Sequence, residues 1–133
     1  MAEFNDEMKI GEKRPDGTVY AGSLDGKAIF TTPEDAPLTY TFNEAAKYAE
    51  QLNAQKYLGH DDWRVPTEDE LNVLFSNRAD LGGFNETGSE PAGWYWSSLQ
   101  NVYKSAWAQG FKGGGWESTL FKWDVSSLRC VRG

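Results

Sequence analysis

His60, Asp61 and Asp62 stand side by side, and Glu68, Asp69 and Glu70 follow shortly after. Imidazoles and carboxylates ligate metals and move protons, so this is the first place to look for chemistry. A transition-metal centre needs several converging His or Cys ligands. The chain has one of each, His60 and Cys130, far apart in sequence. Helix capping and surface charge account for the carboxylates, with weak calcium binding as the alternative. Ser97 and Ser98 lack the setting of a nucleophile elbow, and His60 is the only imidazole base. Cys130 lies between Arg129 and Val131. A neighbouring Arg can lower a thiol pKa, but a buried structural thiol is the usual case. Gly113-Gly114-Gly115 precedes Trp116-Glu117 rather than Lys and Ser/Thr, so it is not a phosphate loop. The expectation is no catalytic set, no metal site and no cofactor.

The stretch from Trp94 to Arg132 holds five of the six tryptophans. Some of its pieces read as scaffold: Trp94-Tyr95-Trp96-Ser97-Ser98, Ala106-Trp107, Phe111 and Leu128-Arg129-Cys130-Val131. Between them stand Leu99, Val102, Tyr103, Lys104, Ala108, Gly110, Lys112, Gly115, Trp116, Leu120, Phe121 and Trp123. These follow neither a helical nor a strand period. Residues of this kind fill an irregular core or form a binding face. On the second reading Tyr103, Trp116, Phe121 and Trp123 are the anchors, because aromatic residues dominate binding hot spots. Lys104 and Lys112 add charge complementarity. Trp96 and Trp107, beside small residues, are expected in the core.

The elements that must position these residues are short. Residues 18–21 and 27–31 read as strands joined by a tight turn at Asp25-Gly26. Thr41-Phe42-Asn43-Glu44 is a capping box, and Ala45, Tyr48, Ala49 and Leu52 follow at helical spacing. A helix is predicted over 42–55. A second box, Thr67 to Glu70, starts a helix over 68–78 whose acidic first turn suits the helix dipole. Further strands are expected at 94–98, 106–111 and 127–132, with a glycine turn at 113–115. Residues 1–16 read as a loose arm. The class is α+β: two helices on short, mostly antiparallel strands, in one domain over 1–133.

The chain has 133 residues and a formal net charge of −7, which disfavours nucleic acid as a partner. The charge is uneven. Residues 1–93 carry 8 Lys/Arg against 18 Asp/Glu, and residues 94–133 carry 5 against 2. Attraction between the two parts within one fold explains this, with a mildly basic binding face as the functional alternative. One cysteine fits a reducing compartment. The acidic start is not a signal peptide, and no apolar run suits a membrane span. The expectation is a cytoplasmic product without membrane partners, with a phage particle or another export route open.

Asp62-Trp63-Arg64-Val65-Pro66-Thr67, then Glu70-Leu71, Trp94-Tyr95-Trp96-Ser97-Ser98, Ala106-Trp107 and Leu128-Arg129-Cys130-Val131-Arg132 occur in that order. This series resembles the domain family typified by the C-terminal domain of a collagen-like bacterial adhesin, over about residues 57–132. The resemblance implies a C-type-lectin-like fold. The C-terminal stretch is also similar to the variable region of target proteins of diversity-generating retroelements. There, fixed framework residues carry scattered substitutions on a ligand-binding face. Trp96, Ser97, Ser98, Trp107, Phe111, Gly114, Arg129 and Val131 match such a framework, and the erratic residues match the variable slots.

Calcium-dependent sugar-binding lectins use Glu-Pro-Asn or Gln-Pro-Asp and a Trp-Asn-Asp triplet. Here Glu90-Pro91-Ala92 lacks the carboxamide and Trp123-Asp124 lacks the Asn. The implied function is non-enzymatic binding, of a protein rather than a sugar or small molecule. Two alternatives stand: a phage-particle or assembly component that packs against its own copies as a homo-oligomer, and an enzyme on the scaffold of formylglycine-generating enzymes. The paired cysteines of the latter are missing.

Overall fold

The computed structural model describes residues 8–85, 93–102, 104–111 and 115–133, apart from the Val102 side chain. Its strands are β1 (Val19–Leu24), β2 (Lys27–Thr31), β3 (Trp94–Val102), β4 (Ser105–Gly110), β5 (Glu117–Phe121) and β6 (Val131–Arg132). Its α-helices are α1 (Phe42–Ala54), α2 (Glu68–Ser76) and the single turn α3 (Arg78–Leu81), with a short 3-10 turn at Tyr57–Gly59. The strands form two antiparallel sheets, β1-β2-β6 and β3-β4-β5. This is the α+β arrangement expected of a C-type-lectin-like domain.

Asp25 and Gly26 turn β1 into β2 with φ of 52° and 80°. Two positive φ values in a row suit the right-handed strand twist. Both capping boxes form. Thr41 accepts from Glu44 N–H while the Glu44 carboxylate accepts from Thr41 N–H, and Thr67 and Glu70 do the same. Thr67→Ala should cost about 1 kcal/mol, read as a lower urea midpoint; an unchanged midpoint would remove the cap from the account. The second helix ends at Ser76, and Arg78–Leu81 forms a separate turn.

Alternate residues of β3 enter two cores on opposite faces of its sheet. Trp96 packs with Ala45, Ala49 and Leu52 of α1 and with Trp63, Ala106, Ala108 and Leu128. Tyr95 packs with Leu71 and Leu74 of α2, Phe111, and Ile29 and Val131 of the other sheet. The β3-β4-β5 sheet is therefore covered on both faces over most of its area.

Three expectations are corrected. Residues 8–16 are not a loose arm. Gly11 N–H donates to Tyr20 O at 2.8 Å, Tyr20 N–H to Glu12 O at 3.0 Å, and Lys13 bridges Val19, so the segment runs beside β1. Residues 1–7 lie outside the described part. β5 is a strand that the sequence pattern does not signal. The strand expected over 127–132 shrinks to Val131–Arg132, with single bridges at Ser126 and Ser127.

Asp16 ties that N-terminal segment to His60. Its carboxylate accepts from Thr18 N–H and Oγ1, and lies 2.7 Å from His60 Nε2. Partial burial raises its pKa, but these partners outweigh that and bring it down to about 2. A depressed folded pKa gives stability that is present above the unfolded value of 3.8 and lost as pH falls towards 2. The side chain is 39% exposed, so screening keeps the effect below about 1 kcal/mol. Asp16→Asn should flatten the acid limb of stability against pH in that window, measured by urea titration at a series of pH values.

Candidate ligand-binding face

The motif residues are stapled to one another. Trp63 is buried, donates from its indole to Tyr57 O at 2.9 Å, and exchanges backbone hydrogen bonds with the Asn53 amide. Arg64 pairs with Val131 through both backbone groups, and its guanidinium meets Glu70. Pro66 O accepts from Ser98 N–H at 2.8 Å. Ser97 Oγ donates to Trp107 O at 2.8 Å and accepts from Leu99 N–H. Trp96 is fully buried and its indole N–H donates to Tyr40 O at 2.6 Å. Cys130 is buried, and burial pushes its thiol up to about 12. It is a neutral structural thiol at ordinary pH.

Arg129 is the centre of this frame. Its side chain has no solvent exposure. It donates to Asp35 at 3.0 Å and to the carbonyls of Thr32, Pro33 and Gly82, and its guanidinium lies 4.2 Å from the Phe84 ring centre. The Tyr95 hydroxyl donates to the other Asp35 oxygen. The sequence reading put Arg129 in the framework but did not find Asp35. A charge inside the apolar run Leu128 to Val131 signals a buried pair; nothing local marks which carboxylate completes it.

The frame leaves a set of large apolar residues outside. Trp116 is 73% exposed, Trp123 61%, Phe121 53% and Leu99 46%. Phe121 and Trp123 stack in parallel, with ring centres 4.6 Å apart and planes 5° apart. A local clamp holds that pair: Phe121 N–H donates to the Asp124 carboxylate, and Asp124 N–H to Phe121 O. Trp116 precedes β5 and the stack begins at its last residue, Phe121, so the two stations lie about 16 Å apart at ~3.3 Å per residue. Glu117 stands at the Trp116 end, where burial and then Glu117 and Asp69 raise the Glu68 pKa. Lys122 and Lys104 stand at the stack end, joined by a backbone hydrogen bond of 2.9 Å. The outer strand is therefore acidic at its Trp116 end and basic at its stack end.

The other expected site residues lie elsewhere. Lys104 is exposed, and Leu120 is half-buried against the α1 core. Ala108 and Gly110 are buried, because β4 is covered on both faces, so neither presents surface. Gly115 has φ of 73°, and a Cβ there would overlap the Phe75 ring. The backbone therefore passes close to α2 at this half-buried position. Tyr103, Lys112 and the Val102 side chain fall outside the described residues, as does Gly114 of the framework. Trp107, expected in the core, is only half-buried. It sits across from Thr119 of the outer strand β5, where cover runs out.

The His60-Asp61-Asp62 group does not converge. His60 turns to Asp16, and Asp62 accepts from Arg132 Nε at 2.7 Å. With Arg129–Asp35, this joins the basic C-terminal part to the acidic N-terminal part, as intramolecular attraction predicts. Asp124 is held by Phe121, and Glu90 lies outside the described residues. Among the described residues no three His, Cys, Asp or Glu side chains gather as metal ligands, and no helix is long and apolar enough to cross a membrane. Excess chelator should leave the melting temperature unchanged. A fall of several degrees that calcium restores would contradict this, since a ligand of the native state stabilises it by mass action.

No curated protein matches the chain. The model of the Lcl C-terminal domain family matches residues 21–132, from β1 to β6 and across every motif described above, and the chain belongs to that family.

Proposed function

We propose that this is a non-enzymatic binding domain whose face along β5 grips a protein ligand. The family membership suggests an adhesin-like binding domain. The observation that carries the finer reading is the exposure of Trp116, Phe121 and Trp123 on a chain whose other aromatic residues are mostly packed. Exposed tryptophans and a flat aromatic stack are hot-spot material, and charges of opposite sign at the two ends set orientation and on-rate. The framework residues Trp96, Phe111, Arg129 and Val131 are fully buried while the erratic residues Leu99, Trp116, Phe121 and Trp123 are exposed, which supports a diversified face of the retroelement type. A near-repeat of the coding stretch for residues 94–132 beside a reverse transcriptase gene, differing at adenines, is the expected finding. A neighbourhood without one removes diversification from the proposal.

The binding test uses a photo-crosslinking residue at Trp116 or Trp123, with Glu50 on α1 as the control position. Capture at the two face positions that unlabelled protein competes away, and a Trp116→Ala/Trp123→Ala variant does not, is the expected result. Equal capture at Glu50 would contradict it. A second reading has one supporting observation. β5 is the outer strand of its sheet, and an uncovered outer strand invites pairing with another copy. Light scattering decides: a monomer excludes self-association.

A further inference from the structure

A separate site lies between the loop of residues 32–37 and α1. A cavity of 220 Å³ opens there, lined by Tyr48 of α1, Tyr57 of the 3-10 turn, the carboxylates of Glu34 and Asp35, and the Cys130 thiol. Among the described residues neither Lys nor Arg lines it. We propose that this cavity holds a substituted ammonium group, about the size of tetramethylammonium, as a second ligand site of the domain.

Its walls select for a cation. Asp35 is balanced by Arg129, which leaves the Glu34 carboxylate at the rim as the charge a ligand would sense. Burial raises the Tyr48 pKa first, and the neighbouring acids Tyr40, Cys130 and Tyr57 raise it further. The Tyr48 phenol and the Cys130 thiol therefore stay neutral at ordinary pH. Two electron-rich rings, a polarisable sulfur and one carboxylate attract an ammonium and repel an anion. The volume falls below the roughly 300 Å³ at which sites for whole small molecules begin, so it suits a head group. An adjoining cavity of 340 Å³ shares Tyr48 but has Lys47 beside Glu44 in its wall. Its charge is balanced, which places the ammonium in the first cavity and leaves the second for an uncharged remainder. The site uses none of the residues of the β5 face, and stands or falls apart from that reading.

The test is titration of the intact protein with tetramethylammonium chloride, followed by saturation-transfer NMR, with neopentyl alcohol as the neutral isostere. Saturable binding at millimolar concentration is expected, with the alcohol about tenfold weaker. Glu34→Gln changes an exposed side chain and should weaken the cation about threefold. Tyr48→Leu should weaken it about tenfold while Tyr48→Phe, which keeps the ring, stays within about twofold. Trp116→Ala/Trp123→Ala should leave it unchanged. Equal affinity for the alcohol would reduce the site to an apolar void. Loss of binding in the Trp116/Trp123 variant, with Tyr48→Leu and Glu34→Gln unaffected, would move the cation to the β5 face. Absence of saturable binding would dismiss the proposal outright.

Discussion

Arg129→Ala should lower stability by about 3–5 kcal/mol, the usual cost of breaking a buried ion pair from one side. The arithmetic of the site supports that size. Burial pushes the Arg129 pKa down and the Asp35 pKa up, and each is pulled back by the other. Removing the guanidinium strands the Asp35 carboxylate with only the Tyr95 hydroxyl of the pair's partners. It also leaves the carbonyls of Thr32, Pro33 and Gly82 without the donors that reached them. A buried acceptor without a donor costs about 1–3 kcal/mol by itself. Arg129→Lys should recover little, because an ammonium cannot span a carboxylate and three carbonyls with one planar fork. Urea titration of both variants measures this. A loss below about 1 kcal/mol at Arg129→Ala would mean that the network is not what holds the 32–37 loop to the segment before β6.

The second large effect belongs to Trp96→Ala, expected to cost about 3–5 kcal/mol. The ring has no exposed surface, makes an edge contact with Phe42 at 5.6 Å, and donates its indole N–H to Tyr40 O. Its loss opens a void between α1 and β3 that neighbours on two fixed elements cannot close. A domain with ~5–15 kcal/mol in total has little left after that. Trp116→Ala and Trp123→Ala should each cost about 1 kcal/mol or less, because their rings lie largely in water. Trp107→Ala falls between, at roughly 1–3 kcal/mol, since its ring is only half-covered. Urea midpoints for the four variants give the ranking. Large, equal losses at Trp116 and Trp123 would place the erratic stretch in the core.

Local signals carried much of the fold. Thr41 and Thr67 head their helices because a hydroxyl three residues before a Glu is a self-contained device. Asp25-Gly26 turns β1 into β2 for the same kind of reason. The scaffold pieces were legible too, since Trp96, Phe111, Leu128 and Val131 are all fully buried. β5 was not legible. Glu117 and Ser118 are exposed, Thr119 and Leu120 half-covered and Phe121 exposed, so an outer strand with little cover shows no alternation. The same lack of pattern placed Ala108 and Gly110 among the face residues. Small residues on a strand covered on both sides look as erratic as a variable surface. The packing constraint on Gly115 was not legible either, as it is set by Phe75, forty residues earlier in the chain. Pairs such as Arg129–Asp35 and Arg132–Asp62 join residues 94 and 70 positions apart, which no local reading connects.

The functional account rests on one division. Residues a few positions apart belong either to a frame that holds the fold or to a face that meets a partner. Competition in the crosslinking assay tests that division most directly, with Phe121→Ala/Trp123→Ala as the competitor and its urea midpoint measured alongside. The expected result is a midpoint close to that of the parent protein, together with failure to compete for the captured partner. A competitor that folds with the parent's midpoint and displaces the partner as well as the parent does would show that the aromatic stack is not the binding face.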